Sequence, residues 1–149
     1  MNRMIINAQN QTLGRMLSYA AKQALKGSEV IIINAEQAVI TGKKEKIFND
    51  YLAKLEIKNR GNYTRGPFHY KRPDLFVKKT LRGMLPFDKP RGVEAFKRIR
   101  IYIGEPESEI ARFHKIDLKK EKPHNLEPRT HVGDYVTVSE LCKFIGGSW

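Results

Sequence analysis

Between Lys58 and Arg100 the chain carries 13 basic side chains: Lys58, Arg60, Arg65, Lys71, Arg72, Lys78, Lys79, Arg82, Lys89, Arg91, Lys97, Arg98 and Arg100. Only three acids, Asp74, Asp88 and Glu94, fall in the same stretch, and the rings of Tyr63, Phe68, His69, Tyr70 and Phe87 are interleaved with the cations. Guanidinium groups pair with phosphates through two parallel hydrogen bonds, and ammonium groups act as point charges. Aromatic rings stack on unpaired bases. Residues 59–71 are rich in Gly, Pro and Arg, so that the backbone itself can approach a ligand closely. This combination predicts a phosphate-rich partner, RNA in particular, with an affinity that falls steeply with salt.

Catalytic and metal chemistry find less support. His69, between Phe68 and Tyr70, is the one candidate general acid or base of an RNA-processing enzyme. No carboxylate or second histidine lies near it in sequence, so stacking on a base or packing within the loop is the better reading. Gly14 stands alone after the first apolar run, without the glycine spacing of a phosphate-binding loop. His69, His114, His124 and His131 are scattered, and no paired cysteine or histidine motif for a metal is present. Asp88 and Glu94 read as a turn former and a helix partner. Cys142, between apolar neighbours, reads as a small buried hydrophobe and cannot form an internal disulfide. The first residues lack the apolar core of a signal peptide, and no apolar run reaches membrane-spanning length. A soluble protein of a reducing compartment is expected, with no membrane, cofactor or small-molecule substrate.

The net charge of +12 over 149 residues is concentrated. Residues 1–42 contribute +2, residues 43–100 contribute +11 and residues 101–149 contribute −1. Apolar periodicity persists through the middle block, which argues for a folded cationic face rather than a solvated tail.

The elements that must position these groups follow from the pattern. Met4–Asn7 predicts a strand. Leu13, Met16, Leu17, Ala20, Ala21, Ala24 and Leu25 form one helical stripe, with Arg15, Tyr19, Lys22 and Lys26 opposite and Gly27 as a C-cap. Residues 29–34 predict a buried strand around the unbroken β-branched run Val30-Ile31-Ile32-Ile33, as a parallel sheet with both faces covered requires. Together these make a βαβ unit. A second helix after Gly42 carries Ile47, Phe48, Tyr51, Leu52 and Leu55 on one side. Pro73 and Asp74 open a third helix with Phe76, Val77, Thr80, Leu81 and Met84 behind and Lys78, Lys79 and Arg82 in front. Beyond the turn Pro86–Pro90 come a short helix over 91–97 and a strand alternating Ile99, Ile101 and Ile103 with Arg98, Arg100 and Tyr102. Residues 105–125 show no assignable element. Thr137 and Glu140 have capping-box spacing before a last helix that ends at Gly146-Gly147.

Three segments, Leu81-Arg-Gly-Met-Leu-Pro86, Lys89-Pro-Arg-Gly92 and Ile99-Arg-Ile-Tyr-Ile-Gly104, resemble the signature of the large-subunit ribosomal protein L-thirteen family. Leu13-Gly-Arg15, Val30 to Glu36 leading to Val39-Ile-Thr-Gly42, and Arg65-Gly-Pro-Phe-His69 are similar to its archaeal and eukaryotic branch. The long basic C-terminal extension of eukaryotic members is missing, which points to an archaeal source. Val93 stands where the family more often has a polar residue, and residues 105–130 match nothing in the family pattern.

The resemblance implies a three-layer α/β/α single domain over 1–149, with a mostly parallel central sheet and a basic loop–helix insertion. It implies a cytoplasmic structural constituent of the large ribosomal subunit that binds its ribosomal RNA, adjoins other large-subunit proteins and acts early in assembly, without catalysis. By matched motif, Arg82, Lys89 and Arg91 would hold phosphates, with Arg15 at the first helix and Arg65 and His69 in the loop. Gly83 and Gly92 would be places where backbone approaches another surface; at Gly83 a plain helix end is the simpler reading. The alternatives are a messenger-RNA-binding regulator outside the ribosome and an RNA-processing enzyme using His69.

Overall fold

The computed structural model describes residues 2–115, 123–124 and 133–149. In chain order the elements are β1 (Arg3–Asn7), α1 (Leu13–Leu25), β2 (Glu29–Ile33), β3 (Val39–Thr41), α2 (Lys44–Glu56), α3 (Pro73–Met84), α4 (Pro90–Arg98), β4 (Ile99–Ile101), α5 (Glu107–His114), β5 (Tyr135–Thr137) and α6 (Val138–Phe144). The central sheet is parallel, in the order β1-β2-β4, with Ile5 opposite Ile31 and Ile31 opposite Arg100. A smaller antiparallel pair joins β3 to β5, with Val39 opposite Thr137.

The unbroken apolar run of β2 is explained by two covered faces. Val30 and Ile32 face the main core with Ile6 and Ile99, under α1, α3 and α6, and α4 adds Ala95. Ile31 and Ile33 face a second core with Ile5, Ile110 of α5 and Tyr102. Helices thus cover both faces of a three-stranded parallel sheet, as the α/β reading expects. On α1 the alanines Ala20, Ala21 and Ala24 are buried, and small side chains let this helix lie close to the sheet. Gly27 ends the turn after it at φ +97°, a left-handed conformation that favours glycine.

The structure departs from the sequence expectations in several places. β2 ends at Ile33 because Asn34 turns left-handed at φ +55°, its amide donating to Asn7 Oδ1 (3.1 Å) and Glu105 Oε1 (2.8 Å). The strand expected over 98–103 is only Ile99–Ile101: Arg98 is the last residue of α4, which runs directly into β4. Tyr102 continues the pairing by donating its N–H to Ile32 O at 2.8 Å. The polar stretch after Glu105 contains α5. That helix is held by Ile110 and by buried His114, whose Nδ1–H donates to Glu29 Oε1 (2.8 Å) while Nε2 lies 3.0 Å from the Tyr102 hydroxyl. Farther on, His124 donates its N–H to Ile5 O along the free side of β1, and the rest of 105–130, like His131, lies largely outside the described residues. Thr137 caps α6 by accepting from Glu140 N–H at 3.2 Å, as its spacing predicts. Cys142 is fully buried, and burial pushes its thiol up to about 12.

Candidate nucleic-acid interface

α3 presents the apolar back and cationic front read from its sequence. Phe76, Val77 and Leu81 are buried in the main core, while Lys79 and Arg82 are exposed and Lys78 is half-buried. Pro73 sits in the first turn, and Asp74 beside it is paired with Arg72 at 3.1 Å, which ties Arg72 to the start of α3.

Each front cation rests on a ring. The Arg82 guanidinium lies 4.4 Å from the centre of Phe87, and Lys78 Nζ lies 5.3 Å from that of Phe96. Lys79 Nζ stands 5.8 Å from the Tyr70 ring and donates to Phe68 O at 2.7 Å, fastening the loop to the helix. These contacts restrain long side chains while leaving their charge available, and each contributes about 0.5–1 kcal/mol at an exposed site. Lys78, Lys79, Arg82, Phe87 and Phe96 line an open groove of about 690 Å³, together with Phe68 and Tyr70 of the loop, and no carboxylate is among its lining residues.

That loop is ordered by its own asparagines. Asn59 Oδ1 accepts from the N–H groups of Gly61 and Asn62, and Asn62 Oδ1 accepts from Thr64 N–H and, at 2.6 Å, from its hydroxyl. Lys58, Arg60 and Arg65 therefore extend from a shaped loop and are all exposed. Lys71 also is exposed, and its carbonyl lies so close to Gly147 that no side chain fits there.

Lys89 and Arg91, both exposed, open α4, where Gly92 packs directly on the Pro86 carbonyl. The close approach at Gly92 is thus to the chain's own backbone. Gly83 has nothing near its missing side chain and belongs to the last turn of α3, as a helix-end reading expects.

Other predicted cations lie elsewhere. Lys97 is exposed in the last turn of α4. Arg98 is half-buried and turned to its own protein, donating to Ala24 O (3.4 Å) and to Glu94 (3.4 Å). Arg100 is in register with Ile31 and so shares the sheet face covered by α5, opposite the side where α3 packs. Arg15 is exposed in the first turn of α1 and is not among the residues lining the groove beside α3.

His69 is half-buried, and its Nε2–H donates to Ile57 O at 3.2 Å. Among the described residues no carboxylate or second imidazole bonds to it, and no group of side chains could hold a metal ion. It lines a second cavity, of about 400 Å³, between α2 and α3. Two residues there were missed in the sequence: Tyr51 and Lys54, whose Nζ sits 4.4 Å over the Tyr51 ring. Their spacing of three on α2 was the available signal, but only the tertiary placement of α2 brings them to His69.

The arrangement is a cationic surface on an α/β scaffold, built from ring-supported cations on one helix and an ordered basic loop. Comparison with known proteins gives the lineage. Residues 1–108 match the family model described as ribosomal protein L13. The chain is 43% identical over 147 residues to large ribosomal subunit protein uL13 of Methanococcus maripaludis, covering 98% of this chain and 99% of that one. It is 38% identical over 146 residues to the protein of the same name from Methanocaldococcus jannaschii, covering 97% and 98%. With that of Haloarcula marismortui the identity is 45% over 106 residues, 71% and 70% of the two chains. The chain belongs to the ribosomal protein L13 family. The alignment with the Methanococcus protein spans nearly the whole chain and so runs through 105–130, a stretch without a family motif.

Proposed function

We propose that this protein is a structural, RNA-binding constituent of the large subunit of an archaeal ribosome, working in the cytoplasm and joining the particle early in its assembly. It neutralises phosphates where segments of large-subunit ribosomal RNA meet, and it adjoins other large-subunit proteins. No catalytic step is assigned to it. The observation that carries this reading is the front of α3, where Lys78, Lys79 and Arg82 are each braced on a ring and face a groove without a carboxylate. Family membership supplies the ribosomal context. Lys58, Arg60, Arg65, Lys89 and Arg91, all exposed, are assigned to the same RNA, exposed Arg15, Lys97 and Arg100 to other segments of it, and Arg98 serves chiefly to tie α4 to α1.

The test is the salt dependence of binding to deproteinised large-subunit RNA. Each phosphate contact contributes roughly 0.7–0.9 to the slope of log affinity against log salt. Replacing Lys79 and Arg82 together with alanine should flatten that slope by about 1–2 and leave the circular dichroism spectrum unchanged. An unaltered slope would remove α3 from the interface. In cell extracts, co-sedimentation with the large subunit that survives a high-salt wash is expected, whereas release by modest salt would point to a protein acting outside the ribosome.

A further inference from the structure

α3 is a ridge with a cavity on each side, and Tyr70 and Lys79 belong to both. On the outer side Phe87 and Phe96 hold Arg82 and Lys78 against their rings, and on the inner side Lys54 stands over Tyr51 and Lys79 beside Tyr70. On the inner side, between α2 and α3, exposed Lys54 and Lys79 stand beside half-buried Tyr51, Leu55 and His69. No carboxylate lines that cavity, so its charge favours an anionic ligand over a neutral side chain from a neighbouring protein.

We propose that this inner cavity receives one unstacked base of the bound RNA, with Lys54 and Lys79 holding the phosphates beside it. This rests on the RNA-binding reading above and adds a base-sized subsite to it. A polar group is available for a base edge. Because Nε2–H of His69 is spent on the Ile57 carbonyl, its Nδ1 in the neutral ring is an acceptor, to which an amino group such as that of adenine can donate.

Gly83 is the further observation. It lines this cavity from an exposed position on a helix, where alanine would be the more stable residue, and nothing lies within 4 Å of its missing side chain. The chain's own packing leaves that stretch of helix backbone open, so that an occupant can be seated directly against it.

The experiment compares binding of the full chain to an RNA duplex carrying a single bulged adenosine and to the same duplex fully paired, by fluorescence anisotropy. Base–aromatic stacking predicts a preference of roughly five- to hundredfold for the bulged form. Gly83→Leu, which fills the cavity from an open helix position, should abolish that preference and leave affinity for the paired duplex unchanged. Equal affinity of the native chain for both duplexes would overturn the proposal, as would a preference that survives Gly83→Leu. Ultraviolet crosslinking of the bulged duplex gives a reading independent of any variant: an adduct at Tyr70, Tyr51 or His69 is expected, and adducts confined to Phe68 or Phe87 would count against the pocket. Failure of the RNA-binding reading looks different, since the Lys79, Arg82 double alanine variant would then bind both duplexes as the native chain does.

Discussion

The same substitution, glycine to alanine, should have opposite signs at two positions nine residues apart. Gly92 lies in the first turn of α4. A methyl group there would fall well inside contact with the Pro86 carbonyl oxygen, 2.5 Å from its carbonyl carbon and 3.2 Å from Phe87 N. All three obstacles are backbone, so no rotamer change relieves the clash. The turn itself is pinned by Lys89 N–H donating to Pro86 O (3.0 Å) and Phe87 N–H donating to Leu85 O (2.8 Å). Overpacking of this kind costs about 1–3 kcal/mol or somewhat more, and alanine's better helix propensity returns up to about 1 kcal/mol. Gly92→Ala should therefore lower stability by about 1–3 kcal/mol, which for a chain of this size lowers Tm by roughly 3–10 °C. Gly83→Ala meets no neighbour and should raise stability by about 0.5–1 kcal/mol. Urea denaturation followed by circular dichroism measures both, with an unchanged m value as the check on two-state unfolding. If Gly92→Ala proved as stable as the native chain, the tight turn would not be a constraint. The proposed RNA surface depends on it too, because the same turn carries Phe87, the ring on which Arg82 of α3 rests, and leads into Lys89 and Arg91. Weaker RNA binding by a folded Gly92→Ala variant is the accompanying expectation.

Other consequences follow from groups away from the cationic face. Cys142 is pushed from 9.0 to about 12 by burial, so the unfolded chain releases this proton more readily and stability falls as pH rises from about 9 toward 12; Cys142→Ala should flatten that part of the pH–stability curve, though Tyr51 and Tyr102, also raised by burial, leave a residual slope of the same sign. For the same reason the native thiol should resist a thiol reagent at pH 8 and react on unfolding, and rapid labelling of the folded chain would contradict its burial. His114→Ala leaves Glu29 and Tyr102 without their shared partner and should cost about 1–3 kcal/mol, with faster amide exchange confined to α5 by hydrogen-exchange mass spectrometry. Thr137→Ala removes the cap of α6 and should cost about 0.5–2 kcal/mol in thermal melts.

What was legible in the sequence is what local periodicity encodes. α1 and α3 bury stripes that repeat at helical spacing, and β2 buries both faces with one β-branched run, so each announces itself within a dozen residues. β3 and β5 do not, because three residues apiece carry too little pattern and their pairing joins Val39 to Thr137 across most of the chain. α5 was hidden for another reason. Its anchors are one isoleucine and a histidine that is buried only because Glu29 and Tyr102 satisfy it, an arrangement that polarity alone reads as loop. The interface divides in the same way. The front of α3 followed from charge and period on a single helix, whereas the separation of Arg100 from it followed only from strand register, and the pairing of Tyr51 and Lys54 with His69 only from the docking of α2.

The packing also explains how so dense a block of positive charge folds at all. Residues 43–100 carry +11, and repulsion among them opposes the compact state. The fold answers by spacing the front cations of α3 over three different rings instead of pairing them with acids, which keeps them apart and keeps them charged. Acidic partners would quiet the repulsion but would also compete with phosphate for the same guanidinium and ammonium groups. Rings do not compete, and side chains already restrained on Phe87, Phe96 and Tyr70 lose less rotamer freedom when a ligand arrives. On the RNA-binding proposal, the polyanion relieves the remaining repulsion. Binding and folding are linked in consequence, and RNA should raise the melting temperature of this chain most at low salt, where both the repulsion and its relief are largest.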